Sequence, residues 1–121
     1  MTSIHQWGAW VTIAVTGIVG LWGIVGGLRE TQIGIPYRAG IGLAVATTSL
    51  HIATGAILYS QGATDPGDQH LFYGVVIAFT MAFAYIFRAQ LELRPLLRWG
   101  MFWLFVMGLG LRTVQTYGIG F

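Results

Sequence analysis

The sequence contains no cysteine and no lysine, and only 8% of its 121 residues are charged. Without cysteine, the chain can form no disulfide, thiolate metal site or thiol nucleophile. A soluble domain carries about 25% charged residues, whereas 55% of the residues here are hydrophobic. This composition is typical of a membrane protein. No basic stretch is interleaved with aromatic residues, so we expect no nucleic-acid partner.

Four apolar runs are long enough to approach the ~20 residues that a helix needs to cross a ~30 Å hydrocarbon layer. These runs are residues 7–28, 39–59, 71–87 and 99–117. Helix is the expected structure because an open strand cannot satisfy its backbone hydrogen bonds in lipid. The sequence therefore predicts an all-α protein, an integral membrane four-helix bundle that forms one transmembrane domain over residues 1–121.

The placement of arginine predicts the orientation of these helices. The arginines that flank the first and third loops are Arg29, Arg38, Arg88, Arg94 and Arg98. The middle loop, "SQGATDPGDQ", carries Asp65 and Asp68 and no cation. The positive-inside rule then places the first and third loops in the cytoplasm and both termini outside. We expect the chain in the lipid bilayer of a prokaryotic cell (inner) membrane.

Two histidines are each followed four residues later by glycine, as His51 with Gly55 and His70 with Gly74. Residues four apart lie on one face of a helix, one turn from each other. A glycine there leaves room for a flat ring beside the imidazole. Two interpretations of His51 stay open, a neutral side chain hydrogen-bonded to a neighbouring helix and a ligand of a cofactor metal. For His70, at the membrane boundary, the alternatives are a ligand role and simple contact with water or head groups.

The depth of these groups in the membrane follows from the helical rise. His51 comes thirteen residues after Arg38, which is roughly 20 Å at ~1.5 Å per residue. Arg112 comes fourteen residues after Arg98, or roughly 21 Å by the same rise. The other two histidines lie at or beyond the outer boundary. All three histidines and Arg112 are therefore expected in the outer leaflet.

Arg112 is a candidate functional residue because an arginine in a span costs at least about 2.5–3.5 kcal/mol on insertion scales. Its helical face also carries Gly108, Gln115 and Thr116, which favours an inward polar site. The alternative is that its long side chain reaches the outer head groups.

The histidine–glycine pattern resembles small membrane cytochromes b, including the haem-bearing anchor subunits of succinate dehydrogenase-type complexes. The resemblance implies a four- or five-helix bundle that passes electrons between quinone and a partner subunit. It implies haem b, with His51 as an axial ligand, His70 as the second candidate ligand and Arg112 as a propionate partner, and with Gly55 and Gly74 leaving space for the ring. A quinone or a pigment is the alternative occupant. The aromatic residues expected at the ring edges are Tyr73, Tyr85, Trp103 and Phe105.

Three functions remain open from the sequence. The first is a haem b subunit that transfers electrons within a respiratory or photosynthetic complex. The second is a cofactor-free accessory subunit that packs on other membrane subunits, which the GxxxG pair Gly23 and Gly27 favours. The third is a small homo-oligomeric transporter or channel, although all four acidic residues fall in predicted loops. An autonomous enzyme is not expected, because no nucleophile–base pair or phosphate-binding loop is visible.

Overall fold

A computed structural model of the chain describes residues 2–62 and 65–121. Within these ranges the protein is all-helical and contains no strand, which confirms the predicted all-α class. The helices are α1 (Thr2–Leu28), α2 (Ile35–Ser60), α3 (Asp68–Ile86), α4 (Arg88–Leu91) and α5 (Pro95–Gln115). Residues 63–64 of the predicted acidic loop lie outside the described ranges.

The helices begin earlier than the apolar runs, and this changes which residues are helical. Helix α1 begins at Thr2, five residues before Trp7. Helices α2 and α5 each have a proline in their first turn, Pro36 and Pro95. Proline is favoured there because its fixed φ suits a helix and its missing N–H would have no helical partner. The apolar runs therefore underestimate where the helices start.

Three helices of the described chain, α1, α2 and α3, are long and apolar enough to cross a membrane. Helix α5 is 21 residues long but carries Arg98 and Arg112, and it does not belong to this group. It nevertheless packs on α1 from Ile13 to Gly27, and α1 also packs on α2. The helix that anchors the fold is thus the first one, with α5 and α2 on either side.

Glycines bring the backbones of α1 and α5 into contact. A Cβ atom on Gly23 would lie 2.5 Å from the carbonyl oxygen of Leu96 and 2.7 Å from the Cα of Gly100. A Cβ on Gly27 would lie 2.8 Å from the backbone nitrogen of Leu97. The GxxxG pair predicted to pack on another subunit therefore packs on α5 of the same chain.

A buried cluster lies beside this glycine contact. Trp103 is fully buried, and Tyr37 from α2 donates a hydrogen bond of 2.9 Å from its hydroxyl to the carbonyl of Val19. Ala44 and Val106 are also buried in this cluster. This buried cluster holds α1, α2 and α5 together near the turn between α1 and α2. The opposite end of the helices, which holds the middle loop, has fewer large buried side chains.

Polar contacts join the loops at each end of the helices. At one end, the Arg38 guanidinium binds both carboxylate oxygens of Glu92, at 2.9 and 3.1 Å. At the other end, the Gly118 amide donates to the Pro66 carbonyl at 2.7 Å, next to the start of α3. The first and third loops therefore share one end, and the C-terminal segment shares the other end with the middle loop.

Candidate functional site

The three histidines come together at the end of the helices that holds the middle loop. The His5 ring from α1 stacks on the His51 ring from α2, with centroids 4.1 Å apart and an interplanar angle of 7°. The His70 ring from α3 lies edge-on to His5, with centroids 6.3 Å apart and an angle of 77°. The three histidines, which the sequence places in one leaflet, thus lie together at one end of the helices. His5 lies within α1, which begins at Thr2 and so extends beyond the predicted span that starts at residue 7.

Glycine makes the imidazole stack possible from both sides. A Cβ on Gly55 would lie 2.8 Å from the Cε1 atom of His5. A Cβ on Gly8 would lie 3.3 Å from the Nδ1 atom of His51. The flat ring predicted to lie against Gly55 is thus the His5 imidazole. At Gly74 a Cβ would meet nothing within 4 Å, so the glycine that follows His70 faces open space.

A cavity of about 760 Å³ adjoins the histidines, within the range of ~300–1,000 Å³ that small-molecule and cofactor sites occupy. Along α2 its lining extends from Ser60 to Thr48, a length of roughly 18 Å by the helical rise. Its walls are mainly apolar, with Ile13, Ile77 and Val106 among the lining residues. The cavity is thus long, deep and polar at the histidine end. A second cavity, of about 540 Å³, lies among the loops at the other end.

His70 is anchored through one ring nitrogen. Its Nδ1 lies 2.7 Å from the carbonyl oxygen of Thr113. A carbonyl only accepts hydrogen bonds, so Nδ1 carries the proton and Nε2 of the neutral ring keeps a lone pair. Thr113 lies in the last turn of α5, where helix carbonyls lack helical partners. The structural role of His70 is therefore to cap α5, and the same contact orients its ring.

His5 is anchored in the same way through Thr54. Its Nδ1 lies 3.2 Å from the Thr54 hydroxyl, and that hydroxyl lies 2.9 Å from the carbonyl of His51. The hydroxyl has a single proton, which it donates to the carbonyl, so it accepts from His5. Nδ1 of His5 is then the donor, and its Nε2 keeps a lone pair.

Two buried polar atoms beside the cavity have no hydrogen-bond partner among the described residues, the Nδ1 atom of His51 and the hydroxyl of Thr48. Other threonines, such as Thr16 and Thr113, donate to the carbonyl four residues earlier. A buried polar group without a partner costs about 1–3 kcal/mol. Both residues line the cavity, so a bound ligand or water there can satisfy them.

Arg112 lies outside this group of residues. Its side chain is exposed, its Nε donates to the Tyr73 hydroxyl at 3.4 Å, and its guanidinium lies 5.6 Å from the centre of that ring. The expected placement of Arg112 beside a ring in the cavity is wrong, because its helical position points to the outer surface of α5. The expected aromatic residues are elsewhere too: Trp103 is in the core, and Tyr85 and Phe105 are exposed.

The residue that the sequence undervalues is His5. Its three-residue spacing to Gly8 places an imidazole and a glycine on one helical face, which is a weaker form of the pattern at His51 and His70. The apolar run begins at Trp7 and leaves His5 outside the predicted span. From the sequence, His5 and Gly8 are therefore not placed on the face of one helix. The structure assigns His5 a central place through the stack on His51.

Among the described residues, no group of three or more histidine, cysteine, aspartate or glutamate side chains is placed to hold a metal ion. No protein-family model matches the chain, and no curated protein or solved structure matches it either. The cavity, its anchored imidazoles and its unpartnered polar atoms are the features from which a function has to be inferred.

Proposed function

We propose that this chain is an integral membrane four-helix subunit that binds haem b in the histidine cavity and takes part in electron transfer within a respiratory or photosynthetic complex. The observation that carries the proposal is the His70 imidazole. Its Nδ1–H donates to the Thr113 carbonyl at 2.7 Å, and metal-ligating histidines almost always have their second nitrogen anchored in this way. Its Nε2 would then be the nitrogen with which His70, a lining residue of the cavity, could hold the haem iron.

The residues of the cavity fit a haem in part. Gly74 leaves open space one turn from His70, where a flat ring can lie against α3. His51 and His5 are stacked face to face, so no macrocycle fits between those two rings. The described lining contains no arginine for the propionates. The polar groups that remain for the propionates are the histidines and hydroxyl groups at the same end of the cavity, among them the Ser60 hydroxyl.

Bound haem supplies a one-electron redox centre whose potential depends on its ligands and on burial. The chain itself contributes the surroundings. The Thr113 carbonyl fixes the His70 ring and raises its basicity. The apolar walls that include Ile77 and Val106 exclude water and lower the local dielectric. Neighbouring membrane subunits are the partners that donate and accept the electron.

In this proposal α5 is the fourth span, and the end that holds the first and third loops faces the cytoplasm. The arginine distribution supports this orientation, and the Arg38–Glu92 contact joins the two arginine-flanked loops. Arg112 reaches toward the outer head groups along Tyr73, which reduces the cost of carrying a cation in α5. Both termini are then outside.

A quinone or a similarly oxygenated pigment is a second candidate occupant, favoured by the unpartnered Thr48 hydroxyl. Thr48 is 1% exposed and lines the deep part of the cavity. A ligand carbonyl there can accept its hydrogen bond, whereas the apolar edge of a haem cannot. The length of the cavity also suits a polar ring with an apolar tail.

Haem titration tests the proposal. We expect the purified protein in mild detergent to bind one haemin per chain and to show a haem b α-band after dithionite reduction. His70→Ala is expected to remove the α-band or weaken haemin binding at least tenfold, while Ser49→Ala, on the exposed face of α2, leaves both unchanged. Circular dichroism checks that each variant is helical. Equal haemin binding by the wild type and His70→Ala contradicts the proposal.

A further inference from the structure

We propose that Thr48 and His51, in the deep part of the histidine cavity, bind the hydroxyl group of an uncharged, membrane-soluble alcohol. The inference rests on the proposed function only in that the cavity lies within a bilayer, and it does not require haem. Three observations carry it: two buried polar atoms without partners, an uncharged lining, and an opening toward the lipid.

Thr48 and His51 contribute two unpartnered polar atoms to one cavity. Thr48 is 1% exposed, and neither its hydroxyl nor the Nδ1 atom of His51 has a hydrogen-bond partner among the described residues. Both residues line the cavity. They are three positions apart in α2, so they share a helical face, with Cβ atoms about 5–6 Å from each other. One ligand oxygen between them is therefore within reach of both.

A hydroxyl group suits this pair in either tautomer of the His51 ring. If Nδ1 carries no proton, the ligand hydroxyl donates to Nδ1 and accepts from the Thr48 hydroxyl. If Nδ1 carries the proton, the ligand hydroxyl accepts from His51 and donates to the Thr48 oxygen. A ketone or quinone carbonyl only accepts, so it satisfies both groups in the second case alone. The pair therefore favours an alcohol over a carbonyl compound.

The walls around this pair exclude a charged ligand. The described lining contains no aspartate, glutamate, lysine or arginine that could balance a charged group. Ile13, Ile77 and Val106 are among the lining residues. Burying an unpaired charge against such walls is far more costly than burying a hydroxyl whose hydrogen bonds are made. The ligand that fits is an alcohol with an apolar body.

The lining also indicates an entrance between α2 and α3. Helix α3 packs mainly on α5 and touches α2 only loosely. Tyr59 of α2 and Val75 of α3 line the cavity and are 49% and 53% exposed. Thr48 comes ten residues after Arg38, roughly 15 Å along the helix and so near the middle of a ~30 Å hydrocarbon layer. An alcohol that enters from the bilayer finds hydrogen-bond partners there that lipid tails do not offer.

Binding of tritiated dodecanol tests the proposal. The protein is placed in lipid nanodiscs without haemin, and binding to empty nanodiscs is subtracted. We expect one saturable dodecanol site per chain. Unlabelled dodecanol is expected to displace the label about fivefold more effectively than dodecyl methyl ether, whose oxygen has no proton to donate and makes one hydrogen bond fewer.

Thr48→Val keeps the shape of the side chain and removes its hydroxyl. We expect this variant to bind dodecanol about fivefold more weakly than the wild type, because one hydrogen bond is lost. Thr47→Val is the matched control. The Thr47 hydroxyl donates to the Leu43 carbonyl, and the residue lies outside the cavity lining. This control is expected to bind dodecanol as tightly as the wild type, and circular dichroism checks that both variants are helical.

The inference is overturned if the folded wild type has no saturable dodecanol site. It is also overturned if the methyl ether competes as well as dodecanol, or if Thr48→Val binds dodecanol as tightly as the wild type, since water alone then suffices for the two polar atoms. A wild type that binds haemin but not dodecanol leaves the proposed function standing. One that binds dodecanol but not haemin overturns the proposed function and leaves this inference in place.

Discussion

At the scale of single residues, the tightest contacts of this protein depend on glycine. Gly23 and Gly100 face each other where α1 crosses α5, and Gly55 and Gly8 flank the stacked imidazoles. The sequence could predict that a ring lies against Gly55, because the four-residue spacing to His51 defines a common helical face. It could not predict that the ring is His5, because spacing within one helix does not tell which neighbouring side chain meets that face.

A residue-scale prediction concerns Gly23. A Cβ there would lie 2.7 Å from the Cα of Gly100 and would also meet the Tyr37 hydroxyl. Backbone atoms cannot move aside cheaply, and overpacking of this kind costs about 1–3 kcal/mol or more. Gly23→Ala is therefore expected to lower the free energy of unfolding in detergent by at least that amount.

Gly42 provides the matched control for Gly23. It lies in the middle of α2 and is exposed, and a Cβ there would meet nothing within 4 Å. Gly42→Ala is expected to keep or raise stability by up to about 1 kcal/mol, as alanine favours helix over glycine. Equal effects of the two substitutions would show that the α1–α5 contact is not the tight one described.

At the scale of elements, α1 ends in a left-handed turn that carries a side chain. Glu30 has a φ of 56°. The Thr31 amide donates to the Gly26 carbonyl at 2.9 Å, and the Glu30 amide donates to Gly27 at 3.2 Å. This is the hydrogen-bond pattern of a Schellman cap, in which glycine usually occupies the left-handed position. The sequence shows the end of the apolar run at Leu28, but not that a glutamate rather than a glycine takes this position.

The prediction at this scale is a gain of stability on Glu30→Gly. A non-glycine residue in the left-handed region costs about 1–2 kcal/mol, so removing the Cβ is expected to raise the free energy of unfolding by about 1 kcal/mol. Glu30→Gln keeps the Cβ and removes the charge, and it is expected to leave stability nearly unchanged. If the glutamine variant gains as much as the glycine variant, the charge and not the backbone is responsible.

The sequence predicted that these segments are helices, because a continuous apolar run in lipid can satisfy its backbone hydrogen bonds only as a helix. The orientation of Arg112 was not predicted. The sequence does not tell whether the face of α5 that carries Arg112, Gln115 and Thr116 points into the bundle or outward. The glycine contact with α1 fixes the rotation of α5, and this rotation sends Arg112 to the surface.

At the scale of the whole molecule, one ion pair joins distant parts of the chain. It links Arg38 in α2 to Glu92, which lies between α4 and α5. The hydrogen bond from Arg38 holds the pKa of Glu92 below its usual value of 4.5. A carboxyl whose pKa is lowered in the folded state stabilises the fold above its usual pKa, and this contribution is lost as the pH falls through the lowered value. Both side chains are substantially exposed, so the effect is a small part of the total stability.

The corresponding prediction compares the unfolding free energy of the wild type and Glu92→Gln between pH 7 and pH 3. The wild type is expected to be the more stable of the two at pH 7, and the difference is expected to shrink below pH 4.5. High salt is expected to reduce the difference at pH 7. A constant difference across this pH range would show that the charge of Glu92 does not contribute.

The central claim is that the imidazoles at the end of this helix bundle bind haem, and the visible spectrum of the reduced, haem-loaded protein tests it most directly. With a helical circular dichroism spectrum as proof of folding, we predict a haem b α-band in the wild type that is lost in His70→Ala. A folded wild-type protein that shows no α-band after incubation with haemin and dithionite would contradict the claim.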